Sequence, residues 1–203
     1  MGISQEELKR DYVICLDRSG SMDEAAGNKP ISRWKYAQEA VLAIARKCAE
    51  MDPDGIDVYT FNKSFQHFAN TTPDKVAQIF KEVSPQGGTD FVPVLTEAFN
   101  VHFKGTKPTT ILVVTDGAPS DGAPAEEAVA KLIVATANRL TEDAQLAVQF
   151  IQIGNDPTAS AFLKRLDDDL EKRGAKFDIV DAKTADDLEN MSITDVLLAA
   201  VND

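Results

Sequence analysis

The chain has 203 residues, 43% of them hydrophobic, which suits one medium domain with a core large enough to need no staples. Its 33 acidic against 21 basic side chains leave a formal charge of −12. A field of that sign repels phosphate backbones and anionic lipid, excluding nucleic acid and membrane surfaces as partners, and it draws in cations.

The first ten residues carry no apolar signal region, and no stretch approaches membrane-spanning length, so the protein is expected in the cytoplasm. Residues 12–17 form an apolar run with β character that stops at Asp17. Beyond it, Ser19 and Ser21 present hydroxyls at alternate positions around Gly20. A strand ending in this way sets its loop at the rim of a sheet, where ligands of open α/β folds bind. Asp17, Ser19 and Ser21 are hard oxygen donors without nitrogen or sulfur, a set that suits Mg2+ rather than zinc, although Asp, Ser and Gly also make ordinary turns.

Helical spacing over residues 33–51 puts Trp34, Ala37, Val41, Ala45 and Cys48 on one face, with Ser32 as N-cap. Residues 57–61 and 65–69 read as a hairpin that supplies one antiparallel strand at the edge of the sheet. Thr72-Pro73 opens a helix that buries Val76, Ile79, Phe80 and Val83. The loop Gln86-Gly87-Gly88-Thr89-Asp90 then frees the backbone and offers a hydroxyl and a carboxylate, and a third helix runs to about Lys104-Gly105. A second buried-type strand, residues 110–115, ends in Thr115-Asp116-Gly117.

Residues 125–140 repeat the helical spacing, residues 146–153 read as a strand, and Asp156-Pro157 starts a fifth helix. A last strand is expected over residues 177–180, followed by a helical region capped by Thr184 with Asp187 and divided by Ser192. Strands alternating with helices give an α/β class: a doubly wound, Rossmann-like three-layer sandwich around a mostly parallel six-stranded sheet. Cys15 and Cys48 fall at core-like positions and read as free buried thiols. Nothing marks a second domain, so residues 1–203 are expected to form a single unit with its core over about residues 11–201.

Asp-x-Ser-x-Ser at 17–21, Gly-Gly-Thr-Asp at 87–90 and the strand ending Thr-Asp-Gly at 115–117 together resemble the von Willebrand factor A family and its metal-ion-dependent adhesion site. The resemblance runs through almost the whole chain. It implies a sheet in the order 3-2-1-4-5-6. By position it makes Ser19, Ser21 and Thr89 hydroxyl ligands of a divalent ion, with Asp17 and Asp116 acting directly or through water. Mg2+ is the expected ion, with Mn2+ or Ca2+ able to use the same oxygens. A protein partner would complete the coordination with an Asp or Glu. The oligomeric state stays open.

Asp23, Glu24 and Asp121 would rim that site and repel an acidic partner lacking basic flanks. The resemblance also admits a scaffold or stress-response role, of the tellurite-resistance, chelatase or protein-assembly kind, with a structural or regulatory metal. A Mg2+-dependent phosphatase would want a second carboxylate where Ser19 stands, and a serine hydrolase would need a nucleophile elbow that residues 18–21 do not form. His67 and His102 are not placed to serve as bases, and Arg18 is either a site contact or a surface cation. The chain is therefore read as a non-enzyme.

Overall fold

The computed structural model describes residues 9–27, 29–51, 55–188 and 195. Six strands, β1 (Asp11–Asp17), β2 (Ile56–Phe61), β3 (Phe65–Thr71), β4 (Thr109–Thr115), β5 (Leu146–Gln152) and β6 (Val180–Thr184), form one sheet in the order β3-β2-β1-β4-β5-β6. All neighbours pair in parallel except β2 with β3. Among the described residues the helices are α1 (Arg33–Met51), α2 (Pro73–Glu82), α3 (Phe91–Lys104), α4 (Ala123–Ala137), α5 (Pro157–Asp168) and the short α6 (Ala185–Leu188). Class, order and the antiparallel edge agree with expectation.

Two apolar layers enclose the sheet. On one face Val13, Cys15, Ile111 and Val113 pack against Phe91, Val94 and Phe99 of α3, Val129 and Ile133 of α4, and Phe162 and Leu166 of α5. On the other, Tyr12, Ile14, Leu16, Leu112 and Val114 pack against α1 and α2 through Val41, Ile44, Val76 and Ile79. Each such fully buried side chain stabilises by roughly 1.5–3 kcal/mol relative to exposure, and continuous apolar strands are what a two-sided parallel sheet requires. Cys15 belongs to the first layer and Cys48 to the second, so the sheet separates the two cysteines.

Local chemistry fixes the helix starts. Thr72 accepts from the Lys75 amide ahead of α2, Asp90 from the Val92 amide ahead of α3, and Asp156 from the Thr158 and Ala159 amides ahead of α5. Each such cap stabilises by about 1 kcal/mol. Asp90, a carboxylate within the glycine loop, thus closes a helix end. Thr184 and Asp187 bond reciprocally, as a capping box should. Ser192 and its expected helix division lie outside the described residues.

The last strand departs from the expected residues 177–180: it begins at Val180 and runs to Thr184. Phe177 instead packs against the core as a partly buried side chain. Hydrogen bonds and an ion pair meet part of the strand's polar demand, while Asp181 Oδ2 is buried without a hydrogen-bond partner among the described residues. Lys183 Nζ donates to buried Asp181 at 2.6 Å, and Gln149 donates to the Asp181 carbonyl at 3.1 Å.

Candidate functional site

Strands β1 and β4 are neighbours whose following helices lie on opposite faces, α1 on one and α4 on the other. A crevice opens between such strands at their carboxyl ends. Asp17 ends β1, and Asp116 follows the last residue of β4. Their exposures are 0% and 1%.

Backbone hydrogen bonds draw three loops together over this crevice. The Gly20 amide donates to Gly87 O at 2.9 Å and the Gln86 amide to Arg18 O at 2.7 Å, joining the first loop to the glycine loop. The Ser120 amide donates to Thr89 O at 3.0 Å, and the Thr89 amide donates to Ser120 Oγ at 2.7 Å, joining the glycine loop to the segment after Asp116. A β-carbon on Gly88 would stand 2.8 Å from Ser120 Oγ, so this approach depends on a bare backbone.

Within the crevice the side chains form a chain of contacts. Asp17 Oδ1 accepts from the Ser19 amide at 2.7 Å, and Oδ2 from the Thr115 hydroxyl at 2.7 Å. Ser19 Oγ lies 3.2 Å from Ser21 Oγ, which donates to Asp116 Oδ1 at 3.0 Å. Asp116 Oδ2 takes Arg33 Nη1 at 2.6 Å. Thr89 is buried too, and its backbone is fastened through Ser120 to the segment that follows Asp116.

Burial dominates the electrostatics. Desolvation pushes the Asp17 carboxyl up to about 7, reinforced by the nearby Asp116 charge and opposed by the Thr115 and Ser19 hydrogen bonds. Desolvation also raises Asp116, against the hydrogen bonds from Arg33 and Ser21. Of the two buried carboxylates, Asp116 pairs with the Arg33 guanidinium, whereas Asp17 is held by the neutral Thr115 hydroxyl and Ser19 amide. Among the described residues no cluster of three or more His, Cys, Asp or Glu gathers. The donor set is instead two carboxylates with neutral hydroxyls, which fits a hard cation and offers nothing to a soft one.

Three contributors escaped sequence reasoning. Thr115 was visible in its motif but gave no sign of binding Asp17. Ser120 gave no sign of a site role in the sequence, yet it fastens Thr89. Arg33 read only as the first residue of a helix, and no local signal tied it to a residue 83 positions away. The rim also differs from expectation. Glu24 lies 3.4 Å from Arg33, and Asp121 pairs with Lys63 at 3.1 Å, so two of the three expected repelling carboxylates have cations beside them. Arg18 Nε is buried without a hydrogen-bond partner among the described residues. His67 stacks on Tyr59 in the edge hairpin, and His102 bonds Thr109 at the amino end of β4; both stand apart from the crevice.

The family model for the von Willebrand factor type A domain matches residues 12–118. No curated protein matches the sequence. Among solved structures, a von Willebrand factor type A protein from Catenulispora acidiphila is similar at 15% identity and a TM-score of 0.59, covering 96% of this chain and 41% of that one. The PilB minor pilin from Streptococcus sanguinis is similar at 13% identity and a TM-score of 0.64, covering 96% and 60%. The pilus adhesin SpaC from Lactobacillus rhamnosus GG gives 15%, a TM-score of 0.60, and coverage of 94% and 31%. The chain therefore spans 31–60% of the length of these three structures, which at such identities share its fold.

Proposed function

The chain belongs to the von Willebrand factor type A domain family, and from that premise we propose that it is a metal-dependent protein-interaction domain without catalysis of its own. The observation that carries this reading is the pair of buried carboxylates, Asp17 and Asp116, set among hydroxyls at the crevice, with Arg33 paired to Asp116. A hard divalent cation, Mg2+ first, is the ligand that such a set stabilises.

Ser19, Ser21 and Thr89 would hold the ion through neutral oxygens, with Asp17 and Asp116 as its anionic support. When bound, the ion supplies Lewis acidity toward an outside oxygen, and in our reading that oxygen belongs to an Asp or Glu of a partner protein. The hydroxyls matter because neutral donors leave the cation's charge largely unspent and available to the partner. Thr115 and the Ser19 amide hold the Asp17 carboxylate in one orientation, and Ser120 fixes the Thr89 backbone. Among the described residues none in the crevice pairs a nucleophile with a histidine base, which supports a binding role. We read the compartment as the cytoplasm, which suits two buried cysteines that the sheet keeps apart.

Calorimetric titration of the purified protein with MgCl2 tests the metal, with one-to-one uptake expected in the wild type and none in Asp116→Ala. Affinity capture in Mg2+ against chelator tests the bridge. A partner set retained equally in chelator and by Asp116→Ala would sink the metal-bridged reading.

A further inference from the structure

Arg33 reaches the crevice from outside the three motif loops. Its amide donates to Glu24 O at 2.8 Å, which pins the start of α1 against the first loop. Its guanidinium, with the side chain only 15% exposed, then crosses that loop: Nη1 lies 2.6 Å from Asp116 Oδ2 and 3.4 Å from Ser21 O. Two of the five residues expected to support a metal are thus in contact with a positive charge of the protein's own.

The surroundings look built for this side chain. Gly154, in the loop after β5, has φ +82, and a β-carbon there would stand 3.2 Å from Arg33 Nε. The backbone is therefore bare where the guanidinium passes. Glu24 Oε2 lies 3.4 Å from the same Nη1, on a side chain that is 67% exposed. Arg33 accordingly stands between a buried carboxylate that belongs to the crevice and an exposed one that belongs to the rim.

We propose that Arg33 is a resident counter-ion of the crevice that competes with the divalent cation for Asp116, and that Glu24 receives the guanidinium when the cation takes its place. The inference rests on the metal-binding reading above. Like charges cannot share one buried carboxylate without repulsion, so a dication entering beside Asp116 raises the free energy of the Arg33–Asp116 contact. Glu24 lowers the cost of release because it offers a hydrated anion within reach of a small side-chain rotation. The arrangement gives the domain two charge-balanced states, one latched by arginine and one loaded with metal. Affinity for the ion is then set by a residue outside the ligand motif.

The test uses the full chain, MgCl2 alone as probe, and two readouts, calorimetric affinity and thermal midpoint in chelator or in excess Mg2+. Arg33→Gln is expected to bind Mg2+ at least tenfold more tightly than wild type, with a midpoint lowered in chelator and largely recovered in Mg2+. Glu24→Gln, an exposed change that leaves the core untouched, is expected to weaken Mg2+ binding several-fold in the wild-type background and less in Arg33→Gln. Should Arg33→Gln fail to fold, the Glu24→Gln titration decides alone. Unchanged or weaker binding by Arg33→Gln, or unchanged binding by Glu24→Gln where it must decide alone, overturns the competition while leaving the metal site standing. Absence of Mg2+ uptake by every variant and the wild type overturns the site itself, and the competition with it.

Discussion

The two ends of the sheet hold similar residues and treat them in opposite ways. At the amino end, Asp11 pairs with Lys107 at 3.3 Å and Asp57 lies 3.4 Å from His67, with side-chain exposures of 45% and 24%. Arg10, buried there, spends its guanidinium on the Thr110 hydroxyl and the Thr109 carbonyl. At the carboxyl end, the carboxylates of Asp17 and Asp116 are withdrawn from water, with Arg33 paired to Asp116 and only neutral donors bonded to Asp17 among the described residues. Local pairing with partial hydration makes a carboxylate inexpensive at the first end. At the second, burial without full compensation stores electrostatic free energy that an added cation can release, and this asymmetry separates a candidate site from ordinary surface chemistry.

Asp116→Ala should break the comparison most severely. It leaves the Arg33 guanidinium without its buried partner, and chemical denaturation is expected to register a loss of about 3 kcal/mol together with the loss of Mg2+ uptake. A pH series on metal-free protein should sharpen the contrast next. Because burial lifts the folded-state Asp17 carboxyl from 3.8 to about 7, the folded protein binds the extra proton across that window. Stability should therefore fall as pH rises from 3.8 to about 7, and Asp17→Asn should remove this contribution. Saturating Mg2+ should flatten the same profile in the wild type, and a profile indifferent to both changes would contradict the buried-charge account.

Gly154→Ala is expected to be milder. The left-handed backbone and the crowding of Arg33 should together cost about 1–2 kcal/mol, and the loosened latch should favour Mg2+ in calorimetry. The smallest effect is expected from Asp11→Asn at the amino end, where loss of an exposed pair should change stability by at most about 1 kcal/mol and leave Mg2+ affinity unaltered. A large effect there would erase the distinction between the two ends.

Much of this architecture was readable along the chain. Pro73 and Pro157, each preceded by a capping side chain, marked helix starts, and the unbroken apolar run before Asp17 marked a strand buried on both faces. Residues 180–184 hid their strand because Asp181 and Lys183 obscure an apolar pattern, and their mutual ion pair, absent from any local signal, helps the sheet accept them. Gly88 was legible as freedom of the backbone, but the neighbour that needs the space, Ser120, was not.

The sequence by itself determined the alternation of strands and helices, the caps, and the oxygen-rich character of the loops that end β1 and β4, because these are local properties of side-chain periodicity and turn chemistry. Tertiary structure alone decided that Thr115 would hold Asp17, that Ser120 would fasten Thr89, and that Arg33 would answer Asp116. Those contacts depend on how a parallel sheet stacks distant segments side by side, and burial, which turns a carboxylate at a strand end into an unbalanced charge, exists only once the chain has closed around it.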